Sequence, residues 1–167
     1  MKHSLFLTAL ALFVFTTVSL AQDETKEFDL LSKRIPVTVQ APEDAIVEEG
    51  LFNGEVYDEI RTISWELNSG DFSLEVTMDD EPMRQTAEEY MSDWKDLIVV
   101  DGDFAGYIVE DENGFISKSI SDGEVMYEFY YQLVKGDRLI EFASGMSSDD
   151  TSLSAAKRMY EAAKSAK

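Results

Sequence analysis

Carboxylates are the only potentially catalytic groups that this chain contains in quantity. The sequence has 34 Asp and Glu residues, no Cys and a single His. Two carboxylates held about 5–10 Å apart can hydrolyse a glycoside, but among so many acids such a pair arises by chance. The absence of Cys excludes thiolate nucleophiles, disulfides and Cys-ligated zinc. These counts favour a protein that is not an enzyme and leave a small carboxylate-dependent hydrolase as the alternative.

Carboxylate oxygens also suit calcium, which prefers oxygen ligands. The candidate ligands are two short acidic groups, namely Asp79, Asp80 and Glu81, and then Asp101 and Asp103. The second group fits the first positions of an EF-hand loop, but Ala105 stands at the fifth position and a strand-like run follows, so we reject an EF-hand. No cofactor is predicted, and a divalent-cation (calcium) binding protein stays an alternative.

The N-terminus has the pattern of a secretory signal peptide. A positive start at residues 1–3 precedes an uncharged apolar run over residues 4–18, and small residues at Ser19 and Ala21 mark a cleavage site before Gln22. The run is short for a spanning helix, although an uncleaved anchor is the alternative. We therefore predict a signal peptide over 1–21 and an exported protein, periplasmic or extracellular. Cleavage removes His3, so a Ser-His-Asp triad and His-ligated metals are excluded.

The formal net charge is −20, and it is concentrated in one part of the chain. Residues 41–112 contain 22 acidic residues and three basic ones. Such a surface repels phosphates, which argues against nucleic-acid binding. The expected partner is an envelope protein or a small ligand, cationic by complementarity with residues 41–112. No stable membrane span is expected after cleavage.

The first half of the mature chain predicts strands and one helix. Residues 35–40 form a first strand, residues 43–55 a loop or irregular turn, and residues 63–67 and 72–78 a hairpin. Thr86 and Glu89 form a capping box at the start of a helix. Helical spacing predicts a core-facing stripe on that helix: Ala87, Tyr90, Met91, Trp94, Leu97 and Ile98.

The second half predicts a four-strand meander and a closing helix. The meander turns are Asn113-Gly114, Asp122-Gly123 and Gly136-Asp137. Treated as two-residue loops, they place Ile116 opposite Phe129 and put Tyr107 on the same apolar face. The other face is mixed, so we expect it to be partly covered. The fold class is α+β: one domain over 22–167, with an antiparallel sheet of six to seven strands and two helices.

This order of elements resembles the PsbP-like antiparallel α/β sandwich family. The segments that carry the resemblance are Val39-Gln40-Ala41-Pro42 ending an early strand, Thr86-Ala87-Glu88-Glu89-Tyr90 opening a helix, and Tyr127-Glu128-Phe129-Tyr130-Tyr131 in the meander. The family includes an extrinsic photosystem subunit, a nuclear import factor and exported bacterial proteins. The resemblance implies a non-enzymatic protein that binds partners. It transfers no functional residue, because the mature chain has no His for the metal sites of the photosystem branch.

Together these observations predict an exported, non-enzymatic envelope protein that acts by protein or ligand binding. The acidic region at 41–112 is the expected place for a partner, and such binding weakens with salt. No catalytic or cofactor-binding residue is predicted.

Overall fold

The computed structural model describes residues 24–57, 60–100, 102–145 and 151–167. Within these ranges the chain forms ten strands, two helices and one 3-10 turn at Leu31–Lys33. The elements are β1 (Thr25–Asp29), β2 (Thr38–Pro42), β3 (Ile46–Glu49), β4 (Val56–Tyr57), β5 (Ile60–Ser69), β6 (Phe72–Asp79), α1 (Ala87–Val100), β7 (Phe104–Glu110), β8 (Gly114–Ser121), β9 (Glu124–Lys135), β10 (Arg138–Ser144) and α2 (Leu153–Lys164). The predicted signal peptide lies outside the described residues.

The main sheet is antiparallel throughout, in the order β3-β5-β6-β10-β9-β8-β7. The short β4 pairs with β5 beside β3, and β1 pairs with β2 in a separate two-stranded ribbon. The predicted α+β class, the hairpin, the four-strand meander and the two helices are confirmed.

Side-chain alternation divides the sheet into two faces. The first face carries the apolar residues of β5, β6, β9 and β10, which lie opposite one another in register, as Leu67 does with Leu74. The helix α2 and the β1–β2 ribbon cover this face and close the main core. Six α2 residues are buried in it: Ala155, Ala156, Met159, Tyr160, Ala162 and Ala163.

Both ends of α2 are fixed by hydrogen bonds. Ser152 caps its start, because its side chain accepts from the Ala155 N–H at 3.1 Å. After its last turn, the backbone of Lys167 exchanges two hydrogen bonds with Thr38 in β2. The end of the chain is therefore joined to the ribbon that lies over the same core.

The other face carries α1, so each face of the sheet has one helix. Tyr130 and Tyr131 are neighbours in β9 and point to opposite faces, as alternation requires. Tyr130 packs on Trp94 of α1 with ring centroids 4.9 Å apart, whereas Tyr131 packs on Tyr160 of α2 at 5.8 Å. The expected partial covering of the second face is confirmed.

Several predicted boundaries are wrong. The strand placed at residues 35–40 is β2, which begins at Thr38 and includes Pro42. The predicted loop at residues 43–55 contains the edge strand β3, and β1 was not predicted. Both strands are short and largely exposed, so neither has the apolar alternation that marks a half-buried strand.

The predicted turn at Asn113-Gly114 is also wrong. The face of the sheet on which Tyr107 lies was therefore predicted wrongly as well. Gly114 is the first residue of β8 and lies opposite Tyr131, while Asp111 and Glu112 make the turn with Asn113. A register shift between Tyr107 and Val109 then turns Tyr107 to the second face, where its ring packs on Phe115 at 5.3 Å. The predicted pairing of Ile116 with Phe129 is confirmed.

Candidate functional site

The second face of the sheet is the candidate site, and α1 covers only part of it. The Thr86 capping box is formed: the Glu89 N–H donates to Thr86 Oγ1 at 3.2 Å, and the Thr86 N–H donates to Glu89 Oε2 at 2.8 Å. The Thr86 N–H and the Thr86 hydroxyl both donate to Glu89 Oε2, and these two bonds lower the pKa of the Glu89 carboxyl. Gln132 of β9 donates to the Ala87 carbonyl at 2.7 Å, which ties the first turn of α1 to the sheet.

A half-buried carboxylate ties the middle of α1 to the sheet. Glu141 Oε1 accepts from Tyr130 Oη at 2.6 Å and from Trp94 Nε1 at 3.0 Å. Burial raises the pKa of Glu141, the two hydrogen bonds oppose this rise, and nearby Asp79 adds to it. The pKa of the Tyr130 hydroxyl is raised as well, first by burial and then by Glu141. One oxygen atom of Glu141 on β10 thus connects Trp94 of α1 to Tyr130 of β9.

The α1 helix leaves an unusual amount of apolar surface exposed. Met91 is the one buried residue of α1. Leu97, which the sequence placed in the core-facing stripe, is 63% exposed, and Val100 is 82% exposed. Trp94 and Val99 are exposed too. The predicted stripe is therefore only partly correct: its Met91 and Ile98 face the sheet, while Leu97 faces solvent.

An apolar groove runs beside this exposed surface. Its volume is about 240 Å³, and its lining comes from α1 and from the sheet: Trp94, Ile98, Phe115, Glu128, Phe129, Tyr130, Ala143 and Ser144. Glu128 is the one charged residue in that lining. The groove has room for a single apolar side chain with a carboxylate nearby.

The two helices carry opposite charge. Four acidic residues and one Lys stand on α1: Glu88, Glu89, Asp93, Asp96 and Lys95. On α2 there are three basic residues and one Glu: Lys157, Arg158, Lys164 and Glu161. Lys95 is already engaged, because it forms an ion pair with Glu110 at 2.7 Å. The exposed apolar side chains of α1 thus lie on the same helix as four acidic residues.

Away from α1, the second face holds a group of buried and half-buried polar side chains that we call the Glu66–Glu75 cluster. It consists of Ser64, Glu66 and Asn68 on β5 with Ser73 and Glu75 on β6. Glu66 and Glu75 lie directly opposite each other, and both are buried. Ser64 Oγ donates to Glu75 Oε1, and Asn68 Nδ2 donates to Glu66 Oε2 at 3.1 Å. Burial is the main cause that raises the pKa of Glu75; Ser64 lowers it and Glu66 raises it further.

Sequence reasoning missed this cluster. The signal was present in the hairpin, where acids and hydroxyls alternate with apolar residues on both strands. Such alternation is ordinarily a solvent-facing side, and only the structure shows that Glu66 and Glu75 are covered. The Cβ atoms of directly opposed residues lie about 5 Å apart, but the two carboxyl groups bond to different partners, Ser64 for Glu75 and Asn68 for Glu66.

Two further cavities on the described surface have neither Glu66 nor Glu75 in their lining. One cavity of about 500 Å³ lies between α1 and the β7–β8 turn, with Lys95 and Gln132 in its lining. Another of about 420 Å³ lies beside the β5–β6 turn, where Glu24, Glu43, Asp44 and Asp71 surround Arg158. Asp71 forms an ion pair with Arg158 there.

The candidate ligands drawn from the sequence are placed apart from this cluster. Asp79 Oδ1 accepts from Thr62 Oγ1 at 3.0 Å, and Asp80 Oδ1 accepts from the Arg61 N–H at 2.9 Å.

Asp79 and Glu81 line one small cavity together with Glu141. Glu81 lies 3.8 Å from the Arg84 guanidinium. Asp103 is partly buried just before β7, and Asp101 lies outside the described residues. Across the ranges that the structure describes, no three His, Cys, Asp or Glu side chains are grouped to hold a metal ion.

Comparisons with known proteins found no protein similar to this chain. The chain matches no protein-family model, and neither curated proteins nor solved structures gave a match. The PsbP-like resemblance therefore stays a prediction. Among the described helices, none combines the length and the apolar character that crossing a membrane requires.

Proposed function

We propose that this chain is an exported envelope protein that binds a cationic partner protein through the α1 side of its sheet, without catalysis. Export rests on the predicted signal peptide. The observation that carries the binding proposal is α1 itself, a helix that exposes Leu97, Val99 and Val100 among acidic residues while burying Met91. Contiguous exposed apolar surface rimmed by charge marks interaction sites.

The proposed partner surface is basic, with at least one apolar anchor. Lys or Arg side chains on the partner would meet Glu88, Asp93 and Asp96, and the anchor would enter the groove between Trp94 and Phe115. Aromatic-lined pockets of this kind hold the residues that dominate binding energy at interfaces. The charges would increase the association rate and make it dependent on salt.

A charge-reversal pair tests which part of the acidic surface binds. Glu88→Lys with Asp96→Lys changes two exposed acids on α1, and Glu49→Lys with Glu55→Lys changes two exposed acids near β3. Both doubles have the same net charge. We expect capture of the partner from envelope extract at low salt to be lost with the α1 double and retained with the β3 double.

Photo-crosslinking locates the contact directly. A photoreactive residue at position 97 should give a discrete adduct in the envelope that weakens at high salt, whereas one at Ser154, exposed on α2, should give none. Equal adducts from both positions, or loss of capture in both charge-reversed doubles, would contradict the α1 assignment. No adduct and no capture at either salt would contradict the binding function.

A further inference from the structure

The helix α1 has two flanks that meet different parts of the sheet. On one flank, Lys95 forms an ion pair with Glu110 of β7 and borders the cavity beside the β7–β8 turn. On the other flank, Trp94 Nε1 donates to Glu141 of β10, and Tyr90 lines a small cavity together with that carboxylate. We call these the β7 flank and the β10 flank of α1.

The β10 flank carries a row of large apolar side chains that are open to solvent. Leu97 stands at i+7 from Tyr90 and at i+3 from Trp94, so the three side chains follow one line along the helix. Tyr90 is half-buried, Trp94 is 37% exposed and Leu97 is 63% exposed. The row continues into the apolar groove, because Trp94 lines that groove together with Ala143 of β10. Helix and sheet thus form one open apolar strip beside α1.

This strip offers side chains and no free strand edge. The strand β10 lies inside the main sheet, paired with β6 on one side and with β9 on the other, whereas the end strands of the sheet are β3 and β7. A segment that adds to a sheet as a strand needs unpaired backbone groups at an edge. An element that covers the strip therefore binds through its side chains, and a helix presents these in a row at i, i+3, i+4 and i+7.

Acidic side chains border the row on its solvent side. Asp93 lies one helical turn from Tyr90 and from Leu97, and it is exposed. Asp96, next to Leu97 in the chain, is exposed as well. Glu128 is exposed in the lining of the groove. Basic residues beside the apolar side of a docking helix would complement these charges, whereas acidic ones would be repelled.

We infer that the partner presents a basic amphipathic α-helix, which packs beside α1 on its β10 flank. This inference rests on the proposed function and names the kind of partner segment that the same surface takes. Apolar residues of the partner helix contact Tyr90, Trp94 and Leu97, and one of them enters the groove as the anchor. Its Lys and Arg residues lie beside Asp93 and Glu128.

Two labelled peptides of about 18 residues, long enough to form a helix, test this with the exported protein at low salt. Both have the same composition of Leu, Lys and Ala. The first has Leu at helical spacing with Lys on either side, and the second has a scrambled order. Fluorescence anisotropy should give a dissociation constant at least about tenfold lower for the first peptide, because only it has a continuous apolar side. Circular dichroism of the complex, less that of the protein, should show a helical peptide.

Two exposed positions on opposite flanks of α1 provide matched variants. Val99 follows Lys95 by one helical turn, so it belongs to the β7 flank, and it is 53% exposed. Leu97→Gln should weaken binding of the amphipathic peptide by about tenfold, since it removes an apolar side chain that the peptide buries. Val99→Gln should leave the dissociation constant unchanged. Both variants replace an exposed apolar side chain with the same neutral one, so both should fold like the wild type.

Three outcomes overturn the inference. Equal affinity of the two peptides would show that charge alone attracts a partner. Absence of binding by both peptides would show that the strip does not hold a helix of this kind. An equal effect of Leu97→Gln and Val99→Gln would place the contact away from the β10 flank. None of these outcomes contradicts the proposed function, which fails instead when the envelope extract gives neither capture nor a photo-adduct.

Discussion

Glu141 is the residue whose protonation most directly bears on the docking of α1. Its Oε1 atom accepts from Tyr130 and Trp94, and burial raises its pKa above the ordinary value of 4.5. A carboxyl with a raised folded pKa binds more protons in the folded chain. Its contribution to stability is therefore present below about pH 4.5 and is lost as the pH rises through the folded pKa.

The variant Glu141→Gln should remove this pH dependence. An amide oxygen can accept the same two hydrogen bonds without becoming charged, so the variant should gain stability relative to wild type as the pH rises from about 4 towards 7. The measurement is the difference in urea midpoint between the two proteins across that range. A difference that stays constant with pH would show that the pKa of Glu141 is the same in the folded and the unfolded chain.

Glu141→Ala is the matched control at the same position. It leaves the Trp94 N–H and the Tyr130 hydroxyl without their acceptor, and the loss costs about 1–3 kcal/mol for the buried Tyr130 donor. Urea unfolding should therefore show a large loss at every pH, in contrast to the pH-dependent gain of Glu141→Gln.

At the scale of the elements, the two sides of α1 should differ sharply in their tolerance of truncation. Met91→Ala empties a buried site between Phe115 and Tyr130 and should cost about 2–5 kcal/mol of unfolding free energy. Leu97→Ala removes a side chain that is already in water and should change stability by no more than about 0.5 kcal/mol. Denaturant titration of both variants checks this, and equal losses would mean that Leu97 packs in the fold.

The first residue of β8 gives a second element-scale prediction. A Cβ on Gly114 would lie 2.5 Å from the Tyr130 carbonyl oxygen and 2.8 Å from the Tyr131 ring, so the neighbouring strand would have to move. Gly114→Ala should therefore destabilise by about 1–3 kcal/mol, as overpacking does. Gly102→Ala is the control, because that position is open and has no left-handed φ. Thermal melts that fall equally for both would refute close packing at Gly114.

These elements show what sequence patterns predict well. The hairpin and the meander follow from period-2 alternation, and Asp122-Gly123 has the two positive φ angles that its dipeptide implies. Asn113-Gly114 is also a dipeptide favoured in such turns, but Gly114 pairs with Tyr131 as the first residue of β8 and does not form the turn. Leu97 fits the helical period of a core stripe, yet nothing in the sequence says how much of the sheet is left for α1 to cover.

The candidate site was harder to predict for the same reason. In the sequence, every residue of the Glu66–Glu75 cluster has the pattern of the solvent-facing side of a hairpin. Gly50 lies against Ser64 and Glu75, and Gly145 lies against Ser73 and Glu66, although the two glycines are far apart in the sequence. Long-range covering of this kind leaves no local pattern.

At the scale of the whole molecule, a formal charge of −20 should oppose compaction. Most of the described ion pairs are exposed, such as Arg84–Glu81 and Lys167–Glu27, and contribute little. Raising salt from about 0.01 M to about 0.15 M shortens the Debye length from about 30 Å to about 8 Å. Repulsion among the acids is then screened, so Tm at pH 7 should rise.

The sign of this salt effect should depend on pH. Near the isoelectric point of 4.2 the net charge vanishes, so salt screens only the remaining attractive pairs, and Tm should stay level or fall. Melting curves in NaCl and in choline chloride at both pH values check this. The two salts should agree, because screening depends on ionic strength and not on the identity of the cation. A salt-induced rise of equal size at both pH values would show that net repulsion is not its cause.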